Sequence, residues 1–163
     1  MTVLLTYFLT ALFVSFLCSL LESVLLSLSI AHVSVIEKEG GSSGKLMAEL
    51  KDNINKPLAA ILTVNTIANT IGAAGVGAQT LLIFGNEWVA ISSGILTLCI
   101  LIFSEIIPKT IGAIYSKSLV PFTAYTIRVL MFISWPFVIL SETMSQFIHK
   151  GENGGETKAS REE

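Results

Sequence analysis

Basic side chains are missing from two long parts of this sequence, in which acidic side chains are also rare. No Lys or Arg precedes Lys38, and none lies between Lys56 and Lys109. Charged residues make up 13% of the 163, about half of the roughly 25% that is usual in soluble domains. Uncharged runs of this length are typical of helices that cross a bilayer, and the mean hydropathy of +0.74 agrees. The composition therefore indicates an integral membrane protein.

Other scarcities exclude further classes of function. The net charge of -2 supplies no basic surface, so no nucleic-acid partner is expected. Cys18 and Cys99 both lie in apolar runs, which favours small buried residues over a disulfide or a thiolate metal site. His32 and His149 stand at segment ends without metal-ligand spacing. We find no catalytic motif, and the protein is not predicted to be an enzyme.

Three apolar segments are predicted to cross the membrane. They run over residues 3–30, 57–84 and 88–105, and each reaches or approaches the roughly 20 residues that a spanning helix needs. The first has no positively charged start and is longer than the apolar part of a signal peptide, so it is predicted to be retained. The polar turn at 84–88 makes spans two and three a helical hairpin.

Lysine placement predicts how these spans are oriented. The segment between spans one and two holds Lys38, Lys45, Lys51 and Lys56, whereas the N-terminus and the turn at 85–87 hold no Lys or Arg. The positive-inside rule then places the lysine-bearing loop in the cytoplasm and the N-terminus outside. Within that loop, the Gly- and Ser-rich run at 40–44 predicts a flexible break between two short polar helices.

Residues 119–140 permit two interpretations. Their hydropathy allows a fourth span, but Pro121, Trp135 and Pro136 interrupt the run, and a helix lying along the cytoplasmic interface fits as well. With three spans, the C-terminus is cytoplasmic. Residues 151–163 are rich in glycine and charge and are predicted to form a disordered polar tail.

Two carboxylates stand inside the apolar runs. Glu22 lies in span one and Glu105 at the end of span three, where an ionised side chain is costly and usually functional. Helical spacing aligns Ser15, Ser19, Ser23 and Ser27 with Glu22 in one stripe. These hydroxyls either line a polar path or simply bond back to carbonyls of their own helix.

Spans two and three offer more oxygen ligands. Asn65 and Asn69 share a helical face, either as cation ligands or as hydrogen-bonding contacts between helices. Pro108 is expected to free the carbonyl of Ser104 beside Glu105, although Glu105 could instead pair with Lys109. Carboxylate, hydroxyl, amide and carbonyl oxygens suit hard cations such as Mg²⁺ or Na⁺, and the ligand count does not decide between these two.

Three motifs resemble one protein family. The stretches 19–23 (SLLES), 65–69 (NTIAN) and 105–109 (EIIPK) are similar, in this order, to signatures of the CNNM/CorC magnesium transporter family. The resemblance covers about residues 1–150 and implies an all-α membrane domain with three spans, short re-entrant helices before span two and a cytoplasmic-side belt helix over 119–140. It also implies a homodimer in the inner membrane, in contact with lipid. By motif match, the metal ligands are Ser19, Glu22, Ser23, Asn65, Asn69 and Glu105.

The resemblance implies Mg²⁺ export, with Na⁺ as the candidate coupling ion. Glu22 could bind the ion directly or could be a carboxylate next to the residues that bind it. The CBS modules that bind ATP in relatives have no counterpart in these 163 residues, so we expect a part of a longer protein or a transmembrane-only member, and no ATP binding. Two rival functions stay open, a non-transporting membrane scaffold or regulatory subunit and a proton-coupled carrier of another solute.

Overall fold

The computed structural model describes residues 1–38, 41–140 and 143, and helices account for nearly all of them. No strand occurs in these described residues, which confirms the all-α prediction. The α-helices are α1 (Thr2–Ser27), α2 (Ile30–Lys38), α3 (Ser42–Asp52), α4 (Asn55–Phe84), α5 (Val89–Cys99), α6 (Ile107–Ile114) and α7 (Val120–Ile133). The predicted tail at 151–163 lies outside the described residues.

Three helical stretches are long and apolar enough to cross a membrane, as predicted: Thr2–Ser27, Asn55–Phe84 and Asn86–Ile114. The third extends beyond the predicted end at residue 105. It continues through a π-helix, Ile100–Ile106, in which the Ile107 amide donates to the carbonyl of Ile102 five residues earlier. Pro108 lies in the first turn of α6, directly after the π-helix, and the helical stretch continues past the proline to Ile114.

The predicted hairpin between spans two and three is present. Its turn begins at Gly85, whose φ of +90° lies in the region that favours glycine, and a 3₁₀ turn follows at Asn86–Trp88. The Gly85 amide donates to the Leu81 carbonyl at 3.2 Å and closes α4. Helices α4 and α5 then pack against each other.

Helices α2 and α3 confirm the two short helices before span two, but the break between them is shorter than predicted. Helix α3 begins at Ser42, so residues 42–44 are helical. A Cβ built on Gly44 would lie 2.6 Å from the Ile36 carbonyl oxygen. Gly44 therefore permits close packing of the two helices, and its prediction as part of a flexible break was wrong.

Residues 119–140 form the short helix α7 and a second helical segment at 135–140, separated by a turn at Ser134. The 14 residues of α7 are too few to span the roughly 30 Å hydrocarbon core. One face is buried through Val120, Ala124 and Ile127, while Phe122 and Phe132 are exposed. A short helix with one buried and one exposed face fits the predicted belt helix at the membrane interface and does not fit a fourth span.

The buried core lies at one end of the bundle. The second half of α1 meets α3, α4 and α7 there, and the buried side chains include Leu21, Leu25, Met47, Ile61 and Ile127. At the other end, apolar side chains such as Leu5, Leu82 and Ile91 are exposed. In a bilayer, lipid chains cover such a surface, so the two ends of the bundle have different surroundings.

Candidate cation site

Close contacts between α1 and α4 set how these antiparallel helices align. A Cβ on Gly72 would collide with Ala11, and one on Gly75 would collide with the ring of Tyr7. Small residues at such crossings let membrane helices approach closely. Because the helices are antiparallel, each step forward along α1 corresponds to a step back along α4. Ser15 therefore lies at the depth of residues 68–69, and Ser19 at the depth of residues 64–65.

Two hydrogen bonds set the alignment of α1 with the third span. The Ser104 hydroxyl donates to the Leu12 carbonyl at 2.9 Å, and the Ser23 hydroxyl donates to the Lys109 carbonyl at 2.6 Å. Both segments therefore run in the same direction, and Glu105 lies at a depth between Ser15 and Ser19. One hydrogen bond at Ser104, inside the π-helix, and one at Lys109, three residues beyond its end, thus hold this part of the third span against α1.

Five oxygen-bearing residues from three helical segments consequently lie within about one helical turn of one another in depth. We call them the mid-depth set: Ser15, Ser19, Asn65, Asn69 and Glu105. Four of these residues belong to the predicted ligands, and their alignment comes from contacts elsewhere in the bundle. Ser15 and Ser19 are buried, whereas the other three are half-buried.

Two oxygens of the mid-depth set have no hydrogen-bond partner. They are the hydroxyl oxygen of Ser15 and the side-chain carbonyl oxygen of Asn69, although the Asn69 amide group donates to the Asn65 oxygen at 3.4 Å. An unsatisfied buried polar atom costs about 1–3 kcal/mol. Two such atoms on packed helices at one depth are available to a cation or a water molecule.

Ser23 and Ser104 differ from Thr6, Thr80 and Thr97 in where their hydroxyl groups donate. Thr6, Thr80 and Thr97 donate to carbonyls four residues earlier in their own helices, as expected for hydroxyls in membrane helices. Ser23 and Ser104 donate to a neighbouring segment instead. The explanation by local back-bonding therefore describes the threonines and fails for these two serines.

Glu22 lies apart from the mid-depth set. Its carboxylate is 3.6 Å from the ammonium of Lys109, with side-chain exposures of 22% for Glu22 and 49% for Lys109. The alternative pair, Lys109 with Glu105 four residues earlier, does not form. Glu22 is about three to seven residues along α1 from the depth of Glu105, which corresponds to roughly 5–10 Å. The six predicted ligands therefore divide between two depths.

Glu105 lies in the π-helix, a feature that the sequence did not indicate beyond the nearby Pro108. Short π-helical segments are frequent at functional sites, because the extra residue redirects neighbouring side chains. Ser15 is a candidate ligand that the predicted set of six does not include. It belongs to the predicted serine stripe, but the family motif begins at Ser19 and leaves it out.

No group of three or more His, Cys, Asp or Glu side chains that could hold a metal gathers in the part of the chain that the structure describes. A cation at the mid-depth set would be held by one carboxylate with amide and hydroxyl oxygens. That ligand chemistry suits a hard cation such as Mg²⁺ or Na⁺. The fold defines an all-α integral membrane protein, in which the mid-depth set is a candidate cation site between the spans.

Comparison with known proteins identifies the family. The Cyclin M transmembrane N-terminal domain, CNNM, matches residues 5–163. A UPF0053 protein of Synechocystis is 32% identical over 82% of this chain and 39% of its own length. A UPF0053 protein of Haemophilus influenzae is 30% identical over 73% of this chain and 28% of its own. The UPF0053 inner membrane protein YfjD of Escherichia coli is 24% identical over 78% of this chain and 30% of its own.

The chain belongs to the CNNM/CorC family of membrane proteins, which is generally linked to metal-ion transport. This confirms the resemblance that the three motifs indicated. The chain spans between 28% and 39% of the length of these relatives.

Proposed function

We propose that this protein exports Mg²⁺ across the cell membrane through the mid-depth set, with Na⁺ influx as the driving force. The observation that supports this most is the pair of unpartnered buried oxygens on Ser15 and Asn69, at the depth of Glu105. Unpaired oxygens beside an intramembrane carboxylate are costly without a ligand. A bound cation would offset that cost.

The chemistry of the set fits a small divalent cation. Mg²⁺ takes oxygen ligands in octahedral geometry, at about 2.0–2.1 Å, and usually keeps several waters. Glu105 would supply the negative charge, and Ser19, Asn65 and Asn69 would supply neutral oxygens. Transport would follow from exposing this set to each side of the membrane in turn, without a catalytic group or ATP.

The proposal includes an assembly and an orientation. We propose a homodimer surrounded by lipid in the inner membrane, with the N-terminus outside and the C-terminus in the cytoplasm. The lysine-bearing α2–α3 segment supports this orientation through the positive-inside rule. A reporter fused to the C-terminus should give a cytoplasmic signal, and a signal from outside would contradict the orientation.

Ion binding is tested by thermal unfolding of the purified protein with and without Mg²⁺. We expect Mg²⁺ to raise the Tm of the parent, because a ligand that binds the folded state stabilises it. Glu105→Gln and Asn69→Ala should lose most of that rise. If both variants respond to Mg²⁺ as the parent does, the proposed ligands are wrong.

A scaffold or regulatory subunit is the second candidate function. The Glu22–Lys109 ion pair between α1 and α6 favours it, because a polar pair of this kind can serve to hold helices together. Mg²⁺ flux in liposomes that contain this chain alone separates the two functions. Flux that follows a pH gradient and ignores Mg²⁺ would instead indicate a proton-coupled carrier.

A further inference from the structure

The outer face of α7 carries an exposed positive charge, that of Arg128. Residues 106–140 contain Lys109, Lys117 and Arg128 but no Asp or Glu. Lys109 pairs with Glu22 of α1, whereas Arg128 forms no ion pair with any acidic residue that the structure describes. A cation without an acidic partner on the protein attracts an anion from its surroundings.

Further polar groups lie beside Arg128 where α7 meets α3. Tyr125 is three residues earlier on α7 and therefore on the same helix face, and its hydroxyl is 2.8 Å from the hydroxyl of Ser42 at the start of α3. One hydrogen of this hydroxyl pair lies between the two oxygens, and the other is free to donate to an anion. Lys45 is one turn along α3 from Ser42 and is exposed. We call Ser42, Lys45, Tyr125 and Arg128 the belt cluster.

The belt cluster joins cations to hydroxyl groups and has no acidic member. Glu49 is one turn beyond Lys45 on α3, and the two form no ion pair in the described part of the chain. The guanidinium of Arg128 presents a planar fork of N–H donors that matches the oxygens of a phosphate. Lys45 adds a second positive charge, and the hydroxyl pair adds a neutral donor. These groups are therefore complementary to a phosphate in both charge and hydrogen bonding.

Exposed apolar side chains next to the cluster indicate that this phosphate belongs to a lipid. Phe132, one turn after Arg128 on α7, is 84% exposed, and Val129 is 58% exposed. A helix in the membrane interface places such side chains among acyl chains and its cations among headgroups. Basic side chains at a membrane surface attract anionic lipids. A small soluble phosphate would leave these apolar side chains uncovered.

We propose that the belt cluster binds the phosphate of an anionic phospholipid, whose acyl chains lie over the exposed apolar face of α7. Arg128 and Lys45 would hold the phosphate charge, and the free hydroxyl hydrogen of the Ser42–Tyr125 pair would donate to it. A zwitterionic headgroup brings its own cation, which these two side chains would repel. The bound headgroup would bridge α3 and α7. This inference concerns lipid binding and does not depend on Mg²⁺ transport.

Native mass spectrometry of the full chain in detergent tests this proposal. The protein is offered equal amounts of phosphatidylglycerol and phosphatidylcholine with the same acyl chains. We expect the parent to retain phosphatidylglycerol in preference to phosphatidylcholine. Arg128→Gln should lower that preference about fivefold, the factor that one cation contributes near an anionic membrane surface. Equal retention of the two lipids by the parent would overturn the proposal, whatever the variants do.

Matched variants separate a built site from a general attraction to positive charge. Lys38→Gln removes an exposed positive charge of α2 outside the belt cluster and should leave the lipid preference unchanged. Tyr125→Phe keeps the ring but removes the hydroxyl, so it should lower the preference although no charge is lost. A loss in Lys38→Gln as large as that in Arg128→Gln would overturn the site. The Tm of each variant without added lipid checks that it is folded.

A water-soluble competitor distinguishes a lipid from a free phosphate. Glycerol phosphate carries the phosphate without acyl chains, so it should not displace phosphatidylglycerol from the parent. Displacement by glycerol phosphate would show that the cluster takes a soluble phosphate and would overturn the lipid assignment. Neither result bears on Mg²⁺ transport, because no member of the belt cluster belongs to the mid-depth set.

Discussion

Gly112 offers the sharpest test of how the third span is held against α1. In Gly112→Ala, the new methyl group would lie closer to Ser23 Cβ and the Leu20 carbonyl oxygen, at 2.8 and 2.9 Å, than side-chain carbons come in proteins. The Leu20 oxygen belongs to helix backbone and has little freedom to move. We therefore expect α6 to shift away from α1 and to lengthen the Ser23–Lys109 hydrogen bond.

The magnitude follows from three opposing effects. Overpacking in a tight interior costs about 1–3 kcal/mol, and loss of the Ser23–Lys109 hydrogen bond adds about 0.5–1.5 kcal/mol. Replacing a helical glycine by alanine stabilises the folded protein by about 1 kcal/mol through helix propensity. The free energy of unfolding should therefore fall by about 1–3 kcal/mol, and the Tm of the purified protein by several degrees.

Gly94→Ala is the matched control. Gly94 lies in α5, and a Cβ there would meet nothing within 4 Å, so only the gain in helix propensity is expected. Its Tm should equal or exceed that of the parent in the same detergent. A Gly112→Ala protein as stable as Gly94→Ala would refute the close packing of α6 on α1.

Three further predictions concern single side chains. Glu105→Gln should abolish the rise in Tm on adding Mg²⁺. Its metal-free Tm should equal or exceed that of the parent, since a neutral amide is less costly inside a membrane, and a lower value would contradict this. Ser15→Ala should keep or raise the metal-free Tm, because it removes an unpartnered hydroxyl. Calorimetry should show about tenfold weaker Mg²⁺ binding to this variant, and unchanged binding would exclude Ser15 as a ligand. Burial lowers the pKa of Lys51 from 10.5, so its charge opposes folding at neutral pH; the penalty shrinks as pH rises above the lowered pKa and is gone above 10.5. Lys51→Met should raise the Tm at pH 7 and less at pH 10, and an equal effect at both pH values would contradict this.

The sequence predicted the fold well where hydrophobicity decides the structure. The number of spans, the hairpin at Gly85 and the short α2 and α3 all follow from apolar runs, lysine placement and glycine, and the structure confirms them. Gly44 was misjudged because glycine permits both flexibility and close helix approach. Composition does not distinguish these two uses, whereas the nearby Ile36 carbonyl does.

The candidate site could be predicted less completely. Motif spacing indicates which residues carry oxygens, but their depths depend on how the helices align. The Gly72–Ala11 and Gly112–Ser23 contacts set that alignment, and both are tertiary. For this reason the sequence treated Glu22 and Glu105 as one site, whereas in the structure Glu22 pairs with Lys109 and lies farther along α1 than the depth of Glu105.

The partner of Lys109 shows the same difficulty. Its spacing from Glu105 suggested a pair within one helix, but the pair forms with Glu22 of α1. The π-helix at Ile100–Ile106 adds to this, because an extra residue in the turn changes which side chains share a face. A change of helix type inside an apolar run leaves no clear pattern in composition.

The central claim is that a hard cation binds between α1, α4 and the π-helix at the depth of Ser15, Asn69 and Glu105. Crystals grown with Mn²⁺ in place of Mg²⁺ would locate the ion directly by anomalous scattering. We predict a peak within coordination distance of Glu105 and Asn69, and its loss in Glu105→Gln. Peaks confined to the polar α2–α3 segment, with none between the spans, would contradict the claim.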